Sequence, residues 1–385
     1  MMHRYDPKPE RVLMTADAVG GVWTYSLELA RALSDYGIRI SLAVMGTPLT
    51  PFQREEAERI PDLELFEGEF KLEWMEDPWA DVDRAGAWLL DLEEKLRPEI
   101  IHLNGFAHAA LPWSSPKVVV GHSCVLSWWE AVHGEPAPAY WDAYRRIVAR
   151  GLFASDIVVS PSKAMMWMLY KHHGEIPFGR VVYNGRNPKA FCPGRKEEII
   201  LTAGRLWDEA KNLRTVLRAA PKFPWPVYAA GEDRGEMPAG PAVRLLGQLS
   251  ASALSAWLAR ASIYVLPALY EPFGYTPLEA ALCGCALVLG NIPSLREIWE
   301  GAAIFVEPRD EEDLRGAVEV LTAKPDLRKE MAARARSRAL EFTPSQMAAG
   351  YLAIYRELLE GWHLGEGPFQ PGRSGVFQPK PRSLQ

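Results

Sequence analysis

Short apolar runs alternate along the chain with longer segments in which apolar positions recur every three or four residues. The runs have the character of strands buried on both faces and the longer segments that of amphipathic helices, so the alternation predicts parallel sheets covered by helices. One series of strands is Val12–Ala16, Ile38–Val44, Ile100–Leu103, Val118–Val120, Ile157–Ser160 and Val181–Tyr183. A second is Ile199–Ala203, Val227–Ala230, Ile263–Leu266, Ala286–Leu289 and Ile304–Val306. Between them, the segment NGRNPKAFCPGRKEE combines turn formers and charges without apolar periodicity, and the domain break is placed there. The expected organisation is an N-terminal Rossmann-like domain over 1–184 and a C-terminal one over 185–342, with a cleft between their sheets. A last helix starts at Thr343-Pro-Ser-Gln346, a capping box with proline at the first helical position, and carries Met347, Tyr351, Ile354, Tyr355 and Leu358 on one face. Residues 362–385, rich in glycine and proline, read as a flexible tail.

A chain of 385 residues, 48% apolar and 24% charged, has room for about two ordinary cores. Its net charge of −6 and pI of 5.9 argue against a nucleic-acid partner, which needs a basic face. The average hides an asymmetry: Arg54 to Glu99 holds sixteen acidic and six basic residues, Asp142 to Lys189 eight basic and three acidic. Solvated helix faces account for this, as does a cationic strip facing an anionic acceptor or lipid headgroups. Cys124, Cys192, Cys283 and Cys285 are too scattered for a disulfide framework or a four-ligand zinc site. With no signal-peptide pattern in Met1 to Glu10 and no apolar run of membrane-spanning length, a cytoplasmic setting is expected, and peripheral contact at the inner membrane face stays open.

The richest chemistry lies in YEPFGYTPLEAALCGCALV, after the strand Ile263–Leu266 and before a helix expected near Pro277. Phe273, Gly274 and Tyr275 offer consecutive backbone N–H groups to an oxygen-rich ligand, and Gly274 lets the chain approach it. Thr276-Pro-Leu-Glu279 also reads as a capping box, which by itself would explain Glu279; Glu271 has no such local explanation. Arg205 and Lys211 in AGRLWDEAKN follow the first strand of the second series, where a guanidinium fork and an ammonium suit a diphosphate or merely a surface loop. Gly20-Gly21 sits between the first strand and helix, as a turn or as an anion-binding loop, and does not fit G-x-G-x-x-G. His122 follows Val118–Val120 at the carboxyl edge of the first sheet. Trp128, Trp129 and Trp141 cluster after it, able to stack on a sugar or simply to pack.

These segments together resemble retaining glycosyltransferase family 4, a GT-B family of two Rossmann-like domains whose C-terminal helix, here around 343–361, crosses back to complete the N-terminal domain. The run from Glu271 to Glu279 is similar to the family's E-x7-E segment, AGRLWDEAKN to its G-R-L-x-x-x-K-N segment, and Gly20-Gly21 to its N-terminal glycine loop. The resemblance implies that Glu271 and the amides of Phe273 to Thr276 hold the donor sugar and phosphate, and that Glu279 holds the ribose. It implies that Arg205, Lys211, Gly20 and Gly21 hold the diphosphate, and that His122 lies beside the reacting sugar. Base contacts are expected near Gly247-Gln248-Leu249 and acceptor contacts at Trp128, Trp129 and Trp141. The implied reaction moves a hexose from a nucleoside diphosphate sugar, UDP favoured over GDP or ADP, to a hydroxyl of a sugar, polysaccharide, lipid-linked or small-molecule acceptor, with retention. No cofactor is expected, and no metal, since no aspartate pair is arranged like a D-x-D site. The chain departs from the family at Tyr275, commonly a smaller residue, and at Arg186, which interrupts N-G-V-D. The rival readings are a catalytically silent sugar-nucleotide binder and a GT-B epimerase or phosphorylase.

Overall fold

The structure is a computed structural model and describes residues 8–176, 178–232 and 242–363. It falls into two compact units. The first takes in the chain through Ser127, Pro136–Gly185 and the segment from Pro344; the second is Trp128–Glu135 with Arg186–Thr343. The short excursion Trp128–Glu135 breaks the simple division by sequence position.

The first unit is built on β1 (Arg11–Asp17), β2 (Arg39–Met45), β3 (Leu63–Glu67), β4 (Ile100–Leu103), β5 (Lys117–Val120), β6 (Ile157–Ser160) and β7 (Gly179–Val181). All pairs are parallel, in the order β3-β2-β1-β4-β5-β6-β7. The second unit holds β8 (Glu197–Ala203), β9 (Val227–Ala230), β10 (Val243–Gly247), β11 (Ala261–Leu266), β12 (Ala286–Gly290) and β13 (Ile304–Val306), also parallel, in the order β10-β9-β8-β11-β12-β13. Each is a Rossmann-like α/β unit with a parallel sheet, as expected from the sequence. Central strands such as β11 and β12 are buried along their whole length, which is why they read as unbroken apolar runs.

Three strands differ from expectation. β3 and β10 were not foreseen, because each is a short edge strand in which, apart from the buried Val243, the side chains are exposed or half-exposed. The strand expected at Val181–Tyr183 is β7, two residues earlier: Gly179, Arg180 and Val181 pair with Val158, Val159 and Ser160. Backbone pairing, not side-chain apolarity, sets that register.

In each sheet the chain starts in the middle and works outward first one way, then the other. The reversal leaves a switch point between β1 and β4 in the first unit and between β8 and β11 in the second, and doubly wound sheets bind ligands beyond the carboxyl ends of such strands. Helix Pro344–His363 belongs to the first unit and buries Met347, Tyr351, Ile354, Tyr355 and Leu358, the face its spacing predicts. Trp362 and His363 still belong to this helix; the rest of the tail expected to be flexible lies outside the described residues.

Candidate active site

The candidate donor residues of the second unit leave the sheet at the β8–β11 switch point. Gly204 (φ 152°) opens the loop after β8 and donates its N–H to Ala230 O at 3.0 Å. A Cβ on Gly231 would sit 1.7 Å from Gly204 O, so the loops after β8 and β9 touch backbone to backbone. Asp208 caps the short 3-10 turn Glu209–Lys211, its carboxylate accepting from Ala210 N at 3.0 Å. Asn212 turns the chain in the left-handed region (φ 55°) and donates to Pro267 O at 2.9 Å, while Leu269 N donates to Ala210 O at 2.8 Å. These bonds stitch the β8 loop to the β11 loop and bring Lys211 Nζ to 2.6 Å from Glu271 Oε2. The side chains of Lys211 and Glu271 are only 17% and 12% exposed. An ammonium has three N–H groups and a carboxylate several lone pairs, so this pair can each bind a further partner while staying joined.

Arg205 is tied to the same turn. Its Nη2 donates to Asp208 Oδ2 at 2.8 Å, and its guanidinium lies 5.5 Å from the centre of the Trp207 ring. Asp208 Oδ1 accepts from Trp128 Nε1 at 3.0 Å. Burial pushes the Asp208 carboxyl up, but Lys211 and Arg205, with the hydrogen bonds from Trp128 and Ala210, outweigh it and hold the group below the usual aspartate range. Asp208 is therefore an ionised anchor for the cationic loop. Sequence reasoning missed it; the available signal was an aspartate three residues from both Arg205 and Lys211.

The capping-box reading of Thr276-Pro-Leu-Glu279 is corrected. Helix Tyr275–Leu282 starts two residues before Pro277, because Gly274 (φ 95°) is its N-cap and offers no side-chain cap. Thr276 thus lies inside the first turn, and the Tyr264 hydroxyl bridges its Oγ1 (2.7 Å) and Ala203 O (3.1 Å). Glu279, 7% exposed, takes Arg186 Nε on Oε1 at 2.8 Å. Arg186 lies over the Phe191 ring, 4.8 Å from its centre. Both glutamates of the E-x7-E run consequently carry a cationic partner. Phe273 and Gly274 are buried, and Tyr275 and Thr276 half-buried.

In the first unit, Gly20 (φ 76°) and Gly21 are exposed at the start of helix Gly21–Ser34, whose first turn holds no acidic residue. That N-terminus presents amides and an uncompensated positive dipole end. His122, after β5, is fixed by Asn104. Asn104 Nδ2 donates to Thr15 O (2.7 Å), which turns its Oδ1 toward His122 Nε2 at 2.8 Å. Nε2 thus carries the proton and Nδ1 the lone pair. Burial lowers the His122 pKa to about 3, so the ring is neutral. His102 in β4, read from the sequence only as part of a strand, forms a buried polar core below it: Nε2 lies 3.0 Å from Tyr25 Oη and Nδ1 2.7 Å from Tyr355 Oη.

The tryptophans separate in role. Trp128 and Trp129 belong to the second unit with rings 6.4 Å apart, and Trp128 is the donor to Asp208. Trp141 belongs to the first unit and packs on Tyr140 and Tyr144, at 5.2 Å and 5.8 Å. Gln248 is exposed and Leu249 half-buried just beyond β10, whose Gly247 O accepts from Gly231 N at 2.9 Å. The D-x-D triplet Asp81-Val82-Asp83 lies in helix Trp79–Leu96, where residues two apart point in different directions, and Asp81 accepts from Lys71 N at 2.9 Å.

Residues 19–190 match the family model Glycosyltransferase Family 4, and residues 187–338 match Glycosyl transferases group 1. The glycogen synthase of Mycobacterium tuberculosis is 40% identical over 99 residues, 25% of this chain and 24% of that protein, so the aligned stretch spans about a quarter of its relative. Among solved structures, sucrose-phosphate synthase from Thermosynechococcus elongatus superposes with a TM-score of 0.79 at 19% identity, covering 91% of this chain and all of that one. Anabaena HepE in complex with UDP and glucose superposes with a TM-score of 0.73 at 14% identity, with 91% and 100% covered. At these identities the structures speak for the fold. With one family model on each half and the paired parallel sheets of the GT-B architecture, this chain is a member of glycosyltransferase family 4.

Proposed function

We propose that the chain transfers a hexose from a nucleoside diphosphate sugar, with UDP as the favoured carrier, to an acceptor hydroxyl with retention of anomeric configuration. The observation that carries this reading is the half-buried Lys211–Glu271 pair at 2.6 Å, at the switch point of the second sheet with Arg205 anchored beside it by Asp208. In this reading Glu271 and the amides of Phe273 to Thr276 hold the sugar, and Glu279, oriented by Arg186, holds the ribose. Arg205 and Lys211 meet the diphosphate and stabilise the charge that grows on it as the glycosidic bond breaks. Gly20 and Gly21 add amides to the diphosphate, and His122 acts as a neutral hydrogen-bonding imidazole. No protein nucleophile or general base is assigned: the departing phosphate oxygen takes the acceptor proton as the hydroxyl attacks from the same face.

The preference for UDP is supported by the fold shared with HepE, a structure holding UDP and glucose. Independence from metal follows from assigning two protein cations, Arg205 and Lys211, to the charge that develops on the leaving group. The reading is tested by incubating the purified chain with UDP-, GDP- and ADP-hexoses in chelator without acceptor. Release of the nucleoside diphosphate, with the freed sugar first appearing by proton NMR in the anomeric form of the donor, is expected. Cleavage no faster than in buffer, an absolute need for a divalent ion, or the inverted anomer would contradict it.

A further inference from the structure

Helices Asp142–Ala154 and Lys163–His173 precede and follow β6, and the order β5-β6-β7 with right-handed crossovers lays both on one side of the first sheet. They pack on each other and bury their inner faces, including Val148, Leu152 and Leu169. Their outer faces repeat a single pattern. On the first helix Arg146, Arg150 and Phe153 follow at spacings of four and three; on the second Lys163, Trp167 and Lys171 follow at spacings of four, and all six are exposed. Phe153 is 78% and Trp167 46% exposed, and the Trp167 ring is held on this face by stacking on Tyr170 at 5.7 Å and 19°. The surrounding stretch, Asp142 to Lys189, carries eight basic and three acidic residues in a chain whose net charge is −6.

We propose that this face docks the first unit onto an anionic lipid surface, with Phe153 and Trp167 entering the headgroup boundary and the four basic side chains meeting lipid phosphates. Helices presenting aromatic rings among basic groups bind membranes through apolar burial and charge together, and tryptophan favours the interface. The aromatic component selects a lipid surface over a soluble polyanion. A polyanion would satisfy the arginines and lysines but leave Phe153 in water. The proposal stands apart from the donor chemistry, because none of the six residues belongs to the candidate active site.

The test is co-sedimentation of the full chain with phosphatidylcholine vesicles, with and without phosphatidylglycerol. Binding only to the anionic vesicles, weakening with salt, is expected. Arg146→Ala with Arg150→Ala should weaken it about 30-fold, and Phe153→Ser with Trp167→Ser, which leave the charge unchanged, about tenfold or more. Both pairs of substitutions should leave donor hydrolysis and the melting temperature unaltered. Failure to bind anionic vesicles overturns the proposal, as does undiminished binding by the Phe153→Ser, Trp167→Ser chain. Binding to dextran sulfate without binding to vesicles would show a soluble polyanion to be the partner and overturn it equally.

Discussion

At the scale of single residues, the decisive groups are those that hold the catalytic candidates rather than the candidates themselves. Asp208 grips Arg205, accepts from Trp128 and lies in the field of Lys211. Asp208→Asn should release Arg205 and lower kcat/KM for donor cleavage about 10- to 100-fold, as expected for a lost hydrogen bond to a charged group, together with a lowered melting temperature because the folded state favours the carboxylate; an unchanged rate would show that Arg205 needs no anchor. Arg205, Lys211, Glu271 and Glu279 stood out in the sequence as candidates because they lie in two short segments resembling the family's, and the structure brings Lys211 to Glu271. The Arg186–Glu279 pair was not, since it joins positions 93 residues apart that no local pattern connects. His102 was equally silent: a histidine inside an apolar strand gives no sign that two tyrosine hydroxyls await it. Burial, then the neighbouring His122, drives its pKa to about 3. Because the folded pKa lies below that of the unfolded chain, protons favour the unfolded state as pH falls from about 6.5 toward 3, costing the first unit about 1.4 kcal/mol per pH unit for this one ring. Urea titrations from pH 7 to pH 5 should show that loss, and His102→Gln should lessen the slope; a slope unaltered by the substitution would remove His102 from the account.

At the scale of elements, the central strands announced themselves and the edges did not. β8, β11 and β12 are apolar runs because both faces are covered, whereas β3 and β10 present polar or exposed side chains to the rim. The helix after Glu271 shows the limit of motif reading. Thr-Pro-x-Glu fits a capping box, yet Gly274 in the left-handed region starts the helix first and frees Thr276 and Glu279 for other partners. Close backbone approach matters as much at Gly231, where a Cβ would overlap Gly204 O and φ is 147°. Gly231→Ala should destabilise the second unit by about 3 kcal/mol or more, read as a lowered calorimetric transition, and an unshifted transition would show that the two loops can part freely.

At the scale of the molecule, length predicted about two cores, and the alternation of strand-like and helix-like segments predicted their α/β class and order. What the linear sequence could not show is that Trp128–Glu135 belongs with the second unit, so that a segment from the middle of the first half supplies Asp208 with its indole partner. Among the described residues no helix is long and apolar enough to cross a membrane. The central claim is that the chain cleaves a nucleoside diphosphate sugar at the Lys211–Glu271 pair, and it is tested most directly by donor hydrolysis in chelator for the parent chain and for Glu271→Gln. The account predicts release of nucleoside diphosphate by the parent and a loss of about 100-fold or more in kcat for the variant, as when a transition-state contact is removed, at an unchanged melting temperature. Equal rates from both proteins would contradict it.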